Sequence, residues 1–221
     1  MKDIQHNQIK DELFRIASHN YDSETLYQFR ELVRSLKQKH IKIVEYGCWE
    51  CSFYYNLLGL EAEGYTLDYT GYDTFDTFPI QHLLEVDIAK EKTKEDYVAK
   101  VDNFITKSKD DIQKYVPKAN LIQGDILDIQ KFETGDIIYI DIDMYSVLEK
   151  VMDNLDLTGV SLVVIDDLYQ PSWVGITKYM ENFIKKNKQY ILIQMPAYLG
   201  MALTPRNKYI GILKKRQNMG Y

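Results

Sequence analysis

Two short apolar runs with one amphipathic segment between them, all within residues 135–168, constrain the fold of this chain most. The runs at 136–140 and 160–165 are rich in β-branched side chains, which favour buried strands. Between them, residues 147–155 carry apolar side chains at helical spacing. Strand, helix and strand form a βαβ unit, whose right-handed crossover places the two strands parallel and usually side by side. We therefore expect an α/β fold in which both strands end at the same edge of one sheet.

Aspartates follow each of these two strands. Asp141 and Asp143 come directly after the first, and Asp166 and Asp167 after the second. Because neighbouring strands lie roughly 5 Å apart, Asp141, Asp166 and Asp167 would repel one another at pH 7 unless a cation or shared protons lay between them. Oxygen-only ligands favour Mg, Ca or Mn. Each aspartate alone is better explained by capping of the next helix, but three converging on one edge favour a metal site.

The charge balance and the cysteine content exclude several classes of protein. The 221 residues include 27 Lys and Arg against 33 Asp and Glu, a net charge of -6 that gives no electrostatic footprint for nucleic acid. No apolar stretch is long enough to span a bilayer, and the N-terminal residues lack the basic start and apolar core of a signal peptide. We expect a cytoplasmic protein with no nucleic-acid or membrane partner. Two cysteines are too few for a disulfide framework.

Predicted strands and helices alternate along the rest of the chain. Residues 2–39 are predicted to form two helices, and we expect 1–39 to be an N-terminal helical cap on a single compact domain at 40–221. The apolar face of the second helix consists of Leu26, Phe29, Leu32, Val33 and Leu36. Further strands are predicted at 41–46, 69–73, 119–123, 189–195 and 209–214, and further helices at 52–60 and 171–186. The pattern predicts a doubly wound, mostly parallel α/β sheet that ends in an antiparallel hairpin at its edge.

Residues 79–115 are charged and lysine-rich, with an apolar stripe that includes Tyr97 and Phe104. This pattern predicts a long solvated helix, and the alternative is a mobile lid over the site.

The loop after the first strand, residues 45–52, lies where doubly wound nucleotide-binding proteins have a glycine-rich turn. Gly47 is the only glycine in it, which argues against a dinucleotide. Asp73, at the end of the second strand, suits hydrogen bonds to ribose hydroxyls. Asp125, after the third strand, suits an exocyclic amino group of a base.

Three segments together resemble the class I S-adenosylmethionine-dependent methyltransferases, and within them the macrocin O-methyltransferase family of metal-dependent sugar and natural-product methyltransferases. Residues 43–52, IVEYGCWECS, are similar to the family's first loop. Residues 72–79, YDTFDTFP, are similar to its acid-threonine-phenylalanine signature after the second strand. The third segment is residues 141–167. It has an aspartate pair, then a tyrosine, a helix, and a strand that ends in two aspartates. Gly175 falls where the family has a glycine at the start of its next helix, and the similarity covers the chain from about Leu26 onward.

The resemblance implies a Rossmann-like methyltransferase sheet, S-adenosylmethionine (SAM) as cofactor, and Mg or another hard divalent cation. The acceptor would be a hydroxyl of a sugar or small natural product. By position, Asp141, Asp166 and Asp167 are the implied metal ligands, with Asp143 as a substitute ligand. The implied cofactor contacts are Glu45, Gly47, Trp49, Ser52, Asp73, Thr74, Asp125, Ile126 and Asp141.

Methyl transfer from a sulfonium to a hydroxyl is an in-line displacement that needs a deprotonated, well-placed oxygen. A divalent cation lowers the pKa of a hydroxyl that it binds, so Asp141 would act through the metal. Asp143 and His82 are the candidate general bases, although His82 alone is better explained as a surface or helix-capping histidine.

The first loop also departs from the family, because Glu50 and Cys51 replace glycines. Three alternatives stay open: a metal-independent small-molecule methyltransferase, a non-catalytic binding module on the same scaffold, and a redox protein using Cys48 and Cys51 in a C-x-x-C motif. Most aromatic residues are expected to be core, although some could stack on a sugar. The first candidates for substrate contact are Tyr169, Trp173, Tyr198 and Met201, because their loops leave the ligand edge. The sequence leaves the oligomeric state open.

Overall fold

The computed structural model describes residues 23–90, 92–101, 107–170, 173–197 and 208–215. The strands in this part of the chain are β1 (His40–Tyr46), β2 (Thr66–Asp73), β3 (Asn120–Gln123), β4 (Ile137–Ile140), β5 (Leu162–Leu168), β6 (Tyr190–Ala197) and β7 (Lys208–Lys215). The helices are α1 (Ser23–Ser35), α2 (Ser52–Leu57), α3 (Lys94–Val101), α4 (Lys109–Tyr115), α5 (Tyr145–Asn154) and α6 (Val174–Lys186). Short 3-10 turns follow α2, β2 and β3.

All of these strands form one sheet in the order β3-β2-β1-β4-β5-β7-β6. The strands from β1 to β5 are parallel, whereas β7 runs antiparallel to both β5 and β6. The predicted α/β fold with a C-terminal antiparallel hairpin is therefore confirmed. The strand order reverses between β1 and β4, which is the point where sheets of this type bind ligands, beyond the carboxyl ends of the strands.

An apolar layer covers each face of the sheet, because successive strand residues point to opposite faces. In β1, Ile43 belongs to the layer that contains α1 and α2, and Val44 belongs to the layer that contains α5 and α6. The second predicted N-terminal helix is confirmed: Phe29 of α1 lies edge-on to Phe53 with ring centroids 5.1 Å apart. The first predicted helix lies outside the described residues, as does the side chain of Leu26. The division into a cap and a domain at residue 39 stays a prediction.

The prediction of one long helix between 79 and 115 is wrong. Two helices, α3 and α4, occupy part of this segment, and residues 102–106 lie outside the described part. Ser108 has an extended backbone, and its Oγ accepts a hydrogen bond from the N–H of Asp111. Ser108 is thus an N-cap that begins a new helix. Tyr97 of α3 is buried, so α3 packs on the domain with an apolar face.

β5 continues past Ile165, where the sequence placed its end, through the aspartate pair to Leu168. β7 extends the pairing, with Leu168 opposite Tyr209 after an irregularity in register. Asp167 has a left-handed backbone, with φ of 52°, within that irregularity. A bulge of this kind bends the strand and redirects its side chains. No helix among the described residues combines the length and the apolar character that crossing a bilayer requires.

Candidate active site

Three carboxylates meet at the carboxyl edge of the sheet. Asp141 and Asp143 follow β4 and Asp167 lies at the end of β5, and one oxygen from each lies within 4.8 Å of the others. Asp167 is buried and the other two are half-buried. The expected convergence of aspartates from two neighbouring strands is therefore present. We call Asp141, Asp143 and Asp167 the carboxylate triad.

Asp166, an implied metal ligand, is not a member of the triad. Its side chain is buried, and its negative charge acts on Glu45. Burial, followed by the proximity of Cys51, raises the pKa of Glu45 well above its ordinary range, and Asp73 and Asp166 add to the rise. The hydroxyl of Tyr69 donates a hydrogen bond to Glu45 Oε2 at 2.6 Å. Glu45 thus lies in the interior behind the first loop.

The chemistry of the triad fits a hard divalent cation. Three carboxylates supply only oxygen donors, and Mg²⁺ and Mn²⁺ prefer such donors. Their mutual repulsion is relieved by a cation placed between them. The triad is therefore a candidate metal centre, with Asp143 in the place that the resemblance assigned to Asp166.

Gly47 brings the first loop against the loop after β4. Its φ is +79°, and a Cβ built on it would lie 2.0 Å from the backbone oxygen of Asp141. The N–H of Asp141 donates to the oxygen of Tyr46 at 2.9 Å, which ties the ends of β1 and β4 together. Only glycine fits this close approach.

The first loop has a left-handed backbone at three positions, only one of which is a glycine. Positive φ values occur at every second residue, Gly47, Trp49 and Cys51. Trp49 and Cys51 are thus the non-glycine residues of this loop that have a left-handed backbone. Glu50 forms an ion pair with Lys107 at 3.3 Å. Trp49 is 40% exposed, so its indole is available at the surface beside the loop.

Asp73 fastens this loop to the end of β2. Its Oδ2 accepts the N–H of Trp49 at 2.7 Å, and its Oδ1 accepts the N–H of Phe75 at 3.1 Å. Thr74 donates its hydroxyl to the oxygen of Thr77. A carboxylate oxygen has more than one acceptor site, so Asp73 can hold the loop and still accept from a ligand hydroxyl. Ser52 and Ile126, two further implied cofactor contacts, are buried.

His82 pairs with Asp125, its Nε2 lying 2.6 Å from Asp125 Oδ2. Asp125 Oδ1 also accepts the N–H of Leu127. Burial alone would raise the pKa of Asp125, but the bonds from His82 and Leu127 outweigh it and leave the pKa below its ordinary value. Ser146 of α5 donates to the backbone oxygen of His82. The structure thus joins the loops after β2 and β3, a pairing that the sequence did not indicate.

Similarity between this chain and known proteins was found only by comparing structures. No protein-family model matches the sequence, and no relative was found among the curated proteins. The O-methyltransferase NovP superposes with a TM-score of 0.61 at 15% identity, over 87% of this chain and 79% of NovP. An O-methyltransferase from Bacillus cereus in complex with SAH gives 0.55 at 13% identity, over 94% and 91%. The calicheamicin methyltransferase CalS11 gives 0.51 at 15% identity, over 94% and 92%.

This chain has the class I methyltransferase fold. In the methyltransferase sheet, the triad and the first loop occupy the ligand edge on either side of the reversal in strand order. The predicted class I methyltransferase sheet is confirmed.

The redox alternative is disfavoured within this methyltransferase fold. Cys48 and Cys51 are both buried. Burial raises the pKa of the Cys48 thiol well above its ordinary range, and the hydrogen bond with Cys51 adds to the rise. A reactive cysteine needs the opposite, a lowered pKa and exposure to solvent.

Asp87 is a site residue that the sequence did not reveal, since it lies inconspicuously in a charged stretch. It is 0% exposed, and its carboxylate accepts from the N–H of Tyr145 at 2.6 Å and from the N–H of Leu84 at 2.9 Å. Gly175 of α6 lies against the same carboxylate. The glycine matched to the family was the one signal that something must approach α6 closely at this point.

Among the aromatic candidates, Trp173 is a core residue. It is 3% exposed and packs against Phe78 and Tyr97, with centroids 5.7 and 5.2 Å away. Tyr169 lines an open groove of about 330 Å³ and accepts a hydrogen bond from Gln194. The rest of the groove is formed by Val86, Gln170, Val174, Thr177, Lys178 and Glu181. Tyr198 and Met201 lie outside the described residues.

Proposed function

We propose that this protein is a SAM-dependent, divalent-metal-assisted O-methyltransferase that acts on a hydroxyl of a sugar or small natural product. The observation that carries the proposal is the carboxylate triad at the ligand edge of a methyltransferase sheet, directly against the first loop. CalS11, which has this fold, is described as a TDP-rhamnose 3'-O-methyltransferase, which supports a sugar acceptor.

The first loop and Asp73 would bind SAM. The left-handed backbone at Gly47, Trp49 and Cys51 lies where doubly wound nucleotide-binding proteins have their glycine-rich turn, so we expect this loop to contact the cofactor. Asp73 would accept hydrogen bonds from the ribose hydroxyls, and the exposed Trp49 would cover the cofactor from solvent.

Asp141, Asp143 and Asp167 would hold the metal ion. A bound divalent cation lowers the pKa of an acceptor hydroxyl and orients it. Asp143 is our candidate for the residue that takes the hydroxyl proton, because a carboxylate has a second oxygen to accept it. His82 is the other candidate. Its Nε2 is bound to Asp125, so Nδ1 would be the atom that accepts the proton.

A non-catalytic binding module is the second candidate, and the side chains at Trp49 and Cys51 favour it. Isothermal calorimetry with S-adenosylhomocysteine (SAH) separates the two. A methyltransferase binds SAH, whereas a module that has lost the cofactor site does not.

The deciding experiment measures transfer of labelled methyl groups from SAM to a panel of nucleotide sugars and glycosides, with Mg²⁺ or with excess chelator. We expect Asp141→Ala and Asp167→Ala to reduce Mg²⁺-dependent transfer by about 100-fold or more. Removing a metal-ligating side chain should lower activity at least as much as removing a group that hydrogen-bonds to such a ligand. Asp128→Ala, at an exposed acid in the turn after β3, is the matched control. Full transfer in chelator would disprove the metal part of the proposal.

Asp166→Asn tests the ligand set itself. Because Asp166 is outside the triad, we expect this variant to keep Mg²⁺ dependence. Loss of metal binding in a folded Asp166→Asn protein would return Asp166 to the ligands.

A further inference from the structure

We infer that Asp87 is a positioning residue for the metal centre, fixing the two triad loops relative to one another through the first turns of α5 and α6. This inference rests on the proposed metal site.

Asp87 binds the start of α5. Its Oδ1 accepts the N–H of Tyr145, the first residue of α5, at 2.6 Å. Its Oδ2 accepts the N–H of Leu84 at 2.9 Å, so the carboxylate is held on both oxygens. The free N–H groups and the positive end of the dipole at a helix start favour a negative group there. The carboxylate is therefore fixed in one orientation inside the protein.

Asp87 also sets the position of α6. A Cβ built on Gly175, the second residue of α6, would lie 1.8 Å from Asp87 Oδ1 and 3.1 Å from the Cβ of Tyr145. The backbone of α6 therefore packs directly on the carboxylate and on the start of α5. This contact supplies a structural reason for a glycine at this position.

Both helices that Asp87 contacts follow directly from triad loops. Asp143 lies two residues before Tyr145, and Asp167 is the penultimate residue of β5, the strand that precedes α6. Asp87 comes from a third segment, between β2 and α3, and adds a buried connection between the starts of α5 and α6, two helices that also touch directly through Tyr145 and Tyr179. The distance between Asp143 and Asp167 thus depends on a buried group that is not itself in the triad.

The test measures Mn²⁺ affinity by electron paramagnetic resonance of free Mn²⁺, and SAH affinity by calorimetry, on the full chain. We expect Asp87→Ala to weaken Mn²⁺ binding about tenfold, the scale of losing a ligand's support, and to leave SAH affinity within about twofold. Asp96→Ala is the control, because Asp96 also accepts a backbone N–H before a helix, at the exposed start of α3. It should change neither affinity.

Gly175→Ala provides an independent perturbation that keeps the Asp87 carboxylate. The added methyl group must displace Oδ1 from Tyr145, so Mn²⁺ affinity should again fall about tenfold. In the double variant the shortened side chain at 87 makes room for the methyl group. We therefore expect the double variant to bind Mn²⁺ no more weakly than Asp87→Ala does, a non-additive result typical of residues in contact.

Four outcomes would overturn the inference. Unchanged Mn²⁺ affinity in folded Asp87→Ala would do so, as would equal losses of Mn²⁺ and SAH affinity, which indicate general destabilisation. If Asp87→Ala does not fold, unchanged Mn²⁺ affinity in Gly175→Ala would overturn the inference instead. A parent protein that binds no Mn²⁺ would overturn the metal site and this inference together. If the parent binds Mn²⁺ and the variants bind it equally well, only the role of Asp87 is overturned.

Discussion

At the scale of single residues, Gly47 is the point where the proposed cofactor loop and metal loop touch. Its backbone is left-handed, and the space for a side chain is filled by the backbone of Asp141. Gly159 has nearly the same φ, +81° against +79°, but a Cβ added to it would meet nothing within 4 Å. Substitutions at the two glycines therefore distinguish the free-energy cost of a side chain on a left-handed backbone from the cost of disturbing the contact with Asp141.

We expect Gly159→Ala to lower the free energy of unfolding by about 1 kcal/mol, the cost of a left-handed non-glycine residue. Gly47→Ala should cost clearly more, and should weaken SAH binding by tenfold or more, because the Asp141 backbone must move. Urea unfolding and calorimetry measure both effects. Equal costs at the two positions would show that the contact between the loops is dispensable.

At the scale of elements, α3 is hydrogen-bonded to the segment that carries Asp87. The hydroxyl of Tyr97 accepts the N–H of Ala89 at 3.1 Å and donates to the backbone oxygen of Asp87 at 3.3 Å. Its ring packs on Trp173, just before α6. One side chain thus connects α3, the turn with Asp87, and the start of α6.

Tyr97→Phe keeps the ring and removes both hydrogen bonds. We expect the free energy of unfolding to fall by about 1–3 kcal/mol, because the backbone oxygen of the buried Asp87 and the N–H of the part-buried Ala89 both lose their partner. Tyr27→Phe is the control, at a side chain that is 60% exposed, and should stay within about 0.5 kcal/mol of the parent. A loss no larger than that of the control would mean that α3 is held by its apolar contacts alone.

Element boundaries show why part of the structure escaped prediction. The strand periods identified β1, β2, β4 and β5, because a buried strand is defined by its own side chains. The extension of β5 depends on β7, some 40 residues away, which supplies the pairing partners. The break at Ser108 was likewise missed, since the charged residues on both sides suit a helix equally well.

At the scale of the whole molecule, a cation that binds the triad should stabilise the fold. A ligand that binds only the folded state at 100 times its Kd adds about 2.7 kcal/mol. We expect Mg²⁺ to raise the Tm of the parent in thermal unfolding, chelator to reverse the rise, and Asp167→Ala to abolish it.

Asp128→Ala is again the matched control and should keep the full rise in Tm. A parent Tm that does not respond to Mg²⁺ or Mn²⁺ would contradict a cation site in the triad.

Local sequence patterns predicted the sheet type, the parallel placement of β4 and β5, and the meeting of their aspartates at one edge. These features follow from local periodicity and from the handedness of the crossover, and both can be read along the chain. The first loop and Gly175 were also recognisable, because glycine is required where the backbone is left-handed, as at Gly47, or where another group approaches closely, as at Gly175.

Which carboxylates converge depends on how the folded elements pack. Asp143 joins Asp141 and Asp167 in one group that does not include Asp166, and Asp167 has a left-handed backbone within the irregular part of β5. The pairing of His82 with Asp125 and the burial of Asp87 between two helix starts depend on contacts across more than 40 residues. Such contacts are set by packing between elements, which no local pattern of residues encodes.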